Sequence, residues 1–395
     1  GVTLGAYDIK VTNPDAGNRT LVGGFTVVAP ATVTSASPTS VGVGAVTKTI
    51  TVNGTNFQPT STVAFSGTGI TVNSVTFGSA TSLAVVVTIA TAATLGLRNV
   101  TVTSGGLPAT LTGAITLVSA PTVTAFVSGT STAAGQGAVS RTFTITGTAF
   151  DPAATVEFSG TGITVNSTTW TSSTSMSVTI SVALTATTGA RDVRVVNPNY
   201  GTGIRTGGLT ITAAPGITSL TPTSRGAGAT GQVITITGTG FQAGATTAFS
   251  GTLITVLSST ITATSVAVTV NISGNAATGL RDLTITNPDG GTRTLANAFT
   301  VNAGPKVTSL SPASLARGAA ATTITITGTG FAAGMTVGFA GTGLTLGTVT
   351  FVNSTTVRLT VAVSTTAATG LRGITVVNST DAGRFSSTTI GLTIT

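Results

Sequence analysis

TITITGTGF, residues 323–331, decides the fold. Threonine alternates with Ile324 and Ile326, so one side of the segment is apolar and the other hydroxylic, the period-two pattern of a half-buried strand. The run recurs as VITITGTGF at 233–241, TFTITGTAF at 142–150 and TITVNGTNF at 49–57. Its apolar positions are then Ile50/Val52, Phe143/Ile145, Ile234/Ile236 and Ile324/Ile326, and each copy closes on glycine or a small residue followed by phenylalanine. A sequence that repeats itself must be read through its repeat before anything else.

Working outward, a second phenylalanine follows eight positions later each time, at Phe65, Phe158, Phe249 and Phe339, mostly within FSGT. Further on comes a Gly-x-Arg run (Gly96/Arg98, Gly189/Arg191, Gly279/Arg281, Gly370/Arg372) that feeds strands with inward Val100/Val102, Val193/Val195, Leu283/Ile285 and Ile374/Val376. A last strand carries Ile115/Leu117, Leu209/Ile211, Phe299/Val301 and Leu392/Ile394. Pro30, Pro121, Pro215 and Pro305 open these units at a period of about 90 residues. Threonine and β-branched residues fill the strands, Gly, Asn and Pro punctuate them, and nothing sustains a helical period. About seven short strands per unit predict a β-sandwich. We therefore expect an all-β chain of tandem immunoglobulin-like sandwiches in a stiff rod, with repeats at 30–120, 121–214, 215–304 and 305–395. Two phenylalanines per repeat are expected in the inter-sheet core.

Residues 1–29 match the closing third of a repeat. Gly5, Ile9, Val11, Asn13-Pro14-Asp15 and Phe25/Val27 align with Gly279, Leu283, Ile285, Asn287-Pro288-Asp289 and Phe299/Val301. The reading admits a longer repeat array cut at this point, or pairing with strands of another subunit by strand addition.

The opening proline with a strand such as ITSLTPTS (217–224), the TITGTGF run and the closing NPDGG turn (287–291) resemble the IPT/TIG family of immunoglobulin-like domains. The likeness runs through all four repeats and the fragment, departing at the turn in the first two repeats (Ser104-Gly105-Gly106; Asn197-Pro198-Asn199). It implies an Ig-like sandwich of the kind found in receptor ectodomains, Rel-type transcription factors, bacterial adhesins and surface enzymes. It supplies no catalytic residue, and a fold alone does not fix a function.

Composition narrows the chemistry. The 395 residues include 51 Gly, no His and no Cys, which removes His- and Cys-based catalysis, disulfides and most metal sites. Charged residues are 6% of the chain against 41% apolar, the opposite of a disordered segment. The net charge of +8 is dilute and lacks the basic, aromatic-interleaved stripe of a nucleic-acid binder. We expect no catalytic, cofactor-binding or metal-binding residue, and no cofactor.

Individual features were weighed on that ground. Asp151 and Glu157 are the one carboxylate pair close in sequence within a repeat; a glycosidase needs two that converge, and the other repeats carry none there. Gly226-Ala227-Gly228-Ala229-Thr230-Gly231 spells GxGxxG, but a strand follows it where a dinucleotide fold needs a helix, so we read a flexible loop. Arg98, Arg191, Arg281 and Arg372 share the inward parity of the strands they open. A stem laid on the core's open end with its guanidinium in water is the plainer reading, against a periodic anion site. In the fragment, Tyr7 stands at this position. Asn-x-Ser/Thr at Asn18, Asn53, Asn99, Asn166, Asn271, Asn353 and Asn378 is a weak glycosylation signal in a threonine-rich chain. Lys10, Lys48 and Lys306 do not recur at one place, which argues against a Lys–Asn cross-link in every repeat. The apolar stretch LAVVVTIATAATLGL (83–97) reads as two strands and a loop, so no membrane span is expected in this segment.

The surface is the anomaly. Sheets guard their edges with charge, proline or bulges, yet these strand exteriors are rows of Thr, Ser and Asn, and the mean hydropathy is +0.52. Such a surface is expected to be covered, by copies of the chain or by glycans. The sequence thus points to a non-enzymatic structural repeat protein of the cell exterior, a filament, sheath or surface-layer subunit with itself as partner. The alternative is an adhesin or stalk with a carbohydrate- or protein-binding face, for which Trp170, Tyr7 and Tyr200 are the aromatics outside the core-like phenylalanines.

Overall fold

The computed structural model describes residues 2–395 and is built from strands, with no helix among the described residues. A lone hairpin comes first, β1 (Gly5–Thr12) antiparallel to β2 (Asn18–Val27). Repeat 1 follows with β3 (Thr32–Ser37), β4 (Ser40–Gly42), β5 (Lys48–Thr55), β6 (Thr62–Phe65), β7 (Ile70–Ser79), β8 (Ser82–Ile89), β9 (Gly96–Ser104) and β10 (Leu107–Val118).

These strands make two four-stranded sheets, ordered β3-β5-β8-β7 and β4-β10-β9-β6, and the same order recurs in every repeat. Pairing is antiparallel except at β4, which runs parallel to the end of β10 (Ser40↔Thr116, Gly42↔Val118). The repeat thus holds eight strands, one more than the sequence count of about seven, and β4 is the shortest at three residues. Chain-internal contacts divide the molecule into two compact units: 1–132 with 140–181 and 189–210, and 133–139, 182–188 with 211–395.

The alternation sets the core. In β8, SLAVVVTI, every second residue is buried, and Leu83, Val85, Val87 and Ile89 face Val100 and Val102 of β9 and Ile115 and Leu117 of β10 in one cluster. Repeats 3 and 4 build the same cluster around Ile234/Ile236 and Ile324/Ile326. In repeat 2, Phe126 stacks on Phe143 with ring centroids 4.5 Å apart and meets Phe158 edge-on at 5.7 Å. The apolar stretch 83–97 is β8, a loop and the start of β9, as expected.

The two recurrent phenylalanines have different fates. Phe57, Phe150, Phe241 and Phe331 are buried, whereas Phe65, Phe249 and Phe339 are half-buried and pack on the cluster from its margin. The expectation of two core rings per repeat is therefore corrected. The second ring ends a four-residue edge strand whose Val63 or Val337 enters the core while the phenylalanine packs at its margin. In the hairpin, Ile9, Val11, Leu21 and Phe25, apolar by the same alternation, are exposed.

Candidate functional site: the clasp between repeats

The most elaborate polar construction lies where one repeat meets the next. In repeats 2, 3 and 4 the loop joining the last two strands starts with a buried asparagine: Asn197, Asn287 or Asn378. Its Nδ2 donates to a carbonyl of the G-T-x-F turn of its own repeat (Ala149 at 2.7 Å, Gly240 at 2.8 Å, Gly330 at 2.9 Å). Its Oδ1 accepts from the amide just beyond that turn (Asp151, Gln242, Ala332, each 3.2 Å). One amide side chain thus pairs with two backbone groups of the turn. The loop then tightens on itself as an Asx turn, with Gly201, Gly291 and Gly383 donating to Oδ1 of Asn199, Asp289 and Asp381 at 2.8–3.0 Å.

This preformed loop docks on the preceding repeat, and the docking surface is glycine. The amides of Gly42, Gly135 and Gly226 donate to the carbonyls of Asn199, Asp289 and Asp381 (2.7, 3.1 and 2.9 Å). A Cβ on those glycines would fall 2.3, 2.3 and 2.5 Å from the Cα of Gly201, Gly291 and Gly383, distances that non-bonded carbons never reach. Two backbones lie against each other with no side chain between them. Amides returning from the loop complete the clasp, Thr292 to the Gln136 carbonyl at 3.1 Å and Arg384 to that of Ala227 at 3.0 Å. Asp289, itself buried, takes Thr212 Oγ1 at 2.7 Å and Gln242 Nε2 at 2.5 Å on its second oxygen, and Asn302 does the same for Asp381 at 3.2 Å. In the first clasp Lys48 Nζ lies 4.1 Å above the ring of Tyr200.

The GxGxxG of 226–231, read from the sequence as a flexible loop, is held in the clasp. Its first glycine is the docking face of a clasp, its amide donating to the Asp381 carbonyl, and a Cβ on Gly228 would also strike the Arg384 carbonyl. Sequence reasoning saw the NPDGG turn as a family mark and missed its partner. The signal was the paired glycine in VGVG (41–44), AGQG (134–137) and RGAG (225–228) at one place in each of repeats 1, 2 and 3.

The remaining candidates fall out individually. Asp151 caps its own turn through Ala153 N at 3.0 Å, while Glu157 pairs with Arg194 at 3.2 Å; the two carboxylates are engaged apart. No group of three or more acidic side chains converges among the described residues. Arg98 donates to the carbonyls of Thr94 and Leu97, Arg281 to that of Ala277 and Arg372 to that of Ala368 at 2.7 Å. Their heads fasten the loop that precedes the strand, where the sequence reading left them in water. Tyr7 remains exposed and bonds the Thr3 carbonyl at 2.7 Å. Of the Asn-x-Ser/Thr sites, Asn378 is the buried bracket of a clasp and offers no free amide, Asn99 and Asn271 accept from Gly113 and Gly231, and Asn18, Asn166 and Asn353 are exposed. Trp170 is 39% exposed, and Phe77 and Phe351 at the matching position of the other repeats are each 37% exposed. The exposed aromatics are therefore more numerous than the sequence suggested. Among the described residues no helix is long and apolar enough to cross a membrane.

Residues 215–301 and 305–391 each match the IPT/TIG domain. Repeats 3 and 4 belong to the IPT/TIG family. No curated protein matches the chain. Among solved structures, the chain is similar to the full extracellular region of plexin A4 (12% identity, TM-score 0.32), covering 92% of this chain and 37% of that one. It thus spans little more than a third of that relative's length. It is also similar to invasin, a bacterial integrin-binding protein (14% identity, TM-score 0.22, 91% and 79% covered). A third is the I9–I11 tandem of titin (12% identity, TM-score 0.25, 69% and 99% covered).

Proposed function

We propose that this chain is a non-enzymatic structural repeat protein of the cell exterior, the subunit of a filament, sheath or surface layer that grows by contact between copies. One observation carries the reading. In each repeat the edge strand β7 or its counterpart, ITVNSVTFGS (70–79), ITVNSTTWTS (163–172), ITVLSSTI (254–261) and LTLGTVTFVN (344–353), holds no charged residue and is mostly exposed. An edge without charge is a template for another strand, and bulges interrupt it only locally in repeats 1, 3 and 4. Among the polar side chains that burial does select, Asn287 fixes the clasp loop to its own repeat and Asp289 binds Thr212 of the preceding one.

The test adds the missing guard. Thr76, Thr169 and Thr260 occupy one exposed position on three of these edges. The triple change to lysine should abolish concentration-dependent assembly in sedimentation and negative-stain microscopy while leaving the circular dichroism unchanged. A wild-type chain that sediments as a monomer at every concentration sinks the proposal.

A second reading, a binding face on a stalk or adhesin, is favoured by the recurrence of Phe77, Trp170 and Phe351 at one edge position. Trp170 is the sole tryptophan, so its emission reports directly on ligands added at that edge. A glycan panel that leaves this emission unshifted, together with a glycan array at background, removes the carbohydrate form of the reading.

A further inference from the structure

The β1–β2 hairpin carries a fourth copy of the clasp loop, Asn13-Pro14-Asp15-Ala16-Gly17, folded as the docked loops are. Asn13 N donates to the Gly17 carbonyl at 2.8 Å, Ala16 N to that of Asn13 at 3.0 Å and Gly17 N to Asp15 Oδ1 at 3.1 Å. The corresponding distances in the loop docked through Asp289 are 2.8, 2.9 and 2.8 Å. The fourth loop residue is left-handed in both, Ala16 at φ 66° and Gly290 at 81°. The hairpin loop is therefore a finished donor.

The acceptor position differs in one repeat. Ser314 and Leu315 pair with Thr393 and Ile394 as Ser224 and Arg225 pair with Thr300 and Val301, so Ala316 takes the place of Gly226. The backbone is the same turn: Arg317 N meets the Thr395 carbonyl at 2.9 Å as Ala227 N meets that of Asn302 at 2.9 Å. Ala319 N meets the Ala316 carbonyl at 3.1 Å as Ala229 N meets that of Gly226 at 3.2 Å. The Ala316 methyl thus points where the clasp places the partner's glycine Cα, which lies 2.3–2.5 Å from the same point at the three other acceptors.

We propose that the Asn13–Gly17 loop is a docking element for an Ig-like repeat with glycine at the Gly226 position, and that Ala316 bars repeat 4 of a second copy from being that partner. The loop's occupant is set by the three instances already in the chain: a loop of this turn seats on a Gly-x-Gly turn, and a single methyl decides which turn qualifies. This goes beyond the assembly proposed above and does not rest on it, because contact along the uncharged edges involves neither Asp15 nor Ala316.

Sedimentation velocity on the full chain tests it with wild type, Ala316→Gly, Asp15→Ala and the double variant. Ala316→Gly should create a head-to-tail association at least tenfold tighter than any shown by wild type; adding Asp15→Ala should cancel it, and Asp15→Ala alone should leave wild type unchanged. The proposal fails if Ala316→Gly matches wild type, or if wild type already associates in a manner that Asp15→Ala weakens. Gly226→Ala gives an independent reading, since it puts the same methyl under an existing clasp. Hydrogen exchange at the Gly226 and Arg384 amides should then accelerate at least tenfold, and unchanged exchange there would also overturn the exclusion.

Discussion

Gly238 and Phe241 act as a pair. A Cβ on Gly238 would sit 2.5 Å from Phe241 Cζ and 1.9 Å from the Gly216 carbonyl oxygen, so the phenylalanine ring occupies the room the glycine leaves. Gly54/Phe57, Gly147/Phe150 and Gly328/Phe331 repeat the arrangement, which is why the G-T-x-F turn keeps its spacing. Asn287 holds the other side of the turn. Gly238→Ala should cost about 1–3 kcal/mol through overpacking, and Asn287→Ala a similar amount through two backbone groups left unpaired. Urea unfolding curves measure both. Either substitution should also raise hydrogen exchange at Gly135, across the clasp. A cost below about 0.5 kcal/mol for either, the scale of an inert surface change, would show that the turn is not held as described.

At the level of elements, alternation made the strands legible. Ile50/Val52, Val100/Val102 and Ile115/Leu117 were inward by parity, and all six are buried. Parity gives a face and does not say how far a strand reaches over the core. Phe65 and Phe126 both lie on apolar faces, yet Phe126 is enclosed by Phe143 and Phe158 while Phe65 lies on a short edge strand. Phe126→Ala should therefore destabilise by about 3–5 kcal/mol, a cavity in a closed core. Phe65→Ala should cost about 1–2 kcal/mol, because part of that ring stays in water when folded. Thermal unfolding of the two variants side by side gives the comparison, and equal losses would contradict it. Strand β4 escaped the sequence reading because a three-residue parallel partner has no room to show a period.

For the whole molecule, the proposed assembly runs along edges without charge, and this dictates its response to salt. Screening between 0.05 and 0.5 M NaCl should leave association nearly unchanged, since exposed charges separated by more than about 10 Å are already screened near 0.1 M. Sulfate, which favours burial, should strengthen association. Light scattering in the two salts checks this; dissolution by NaCl would point to charge as the driving force. By itself the sequence determined the sandwiches and their tandem repetition, because alternation, turn residues and period are local properties of the chain. Tertiary structure alone decided what the paired glycines are for. A glycine signals by what it lacks, and the absent methyl of Gly42 or Gly226 has a meaning only when the backbone of the next repeat, more than a hundred residues further on, lies where that methyl would be.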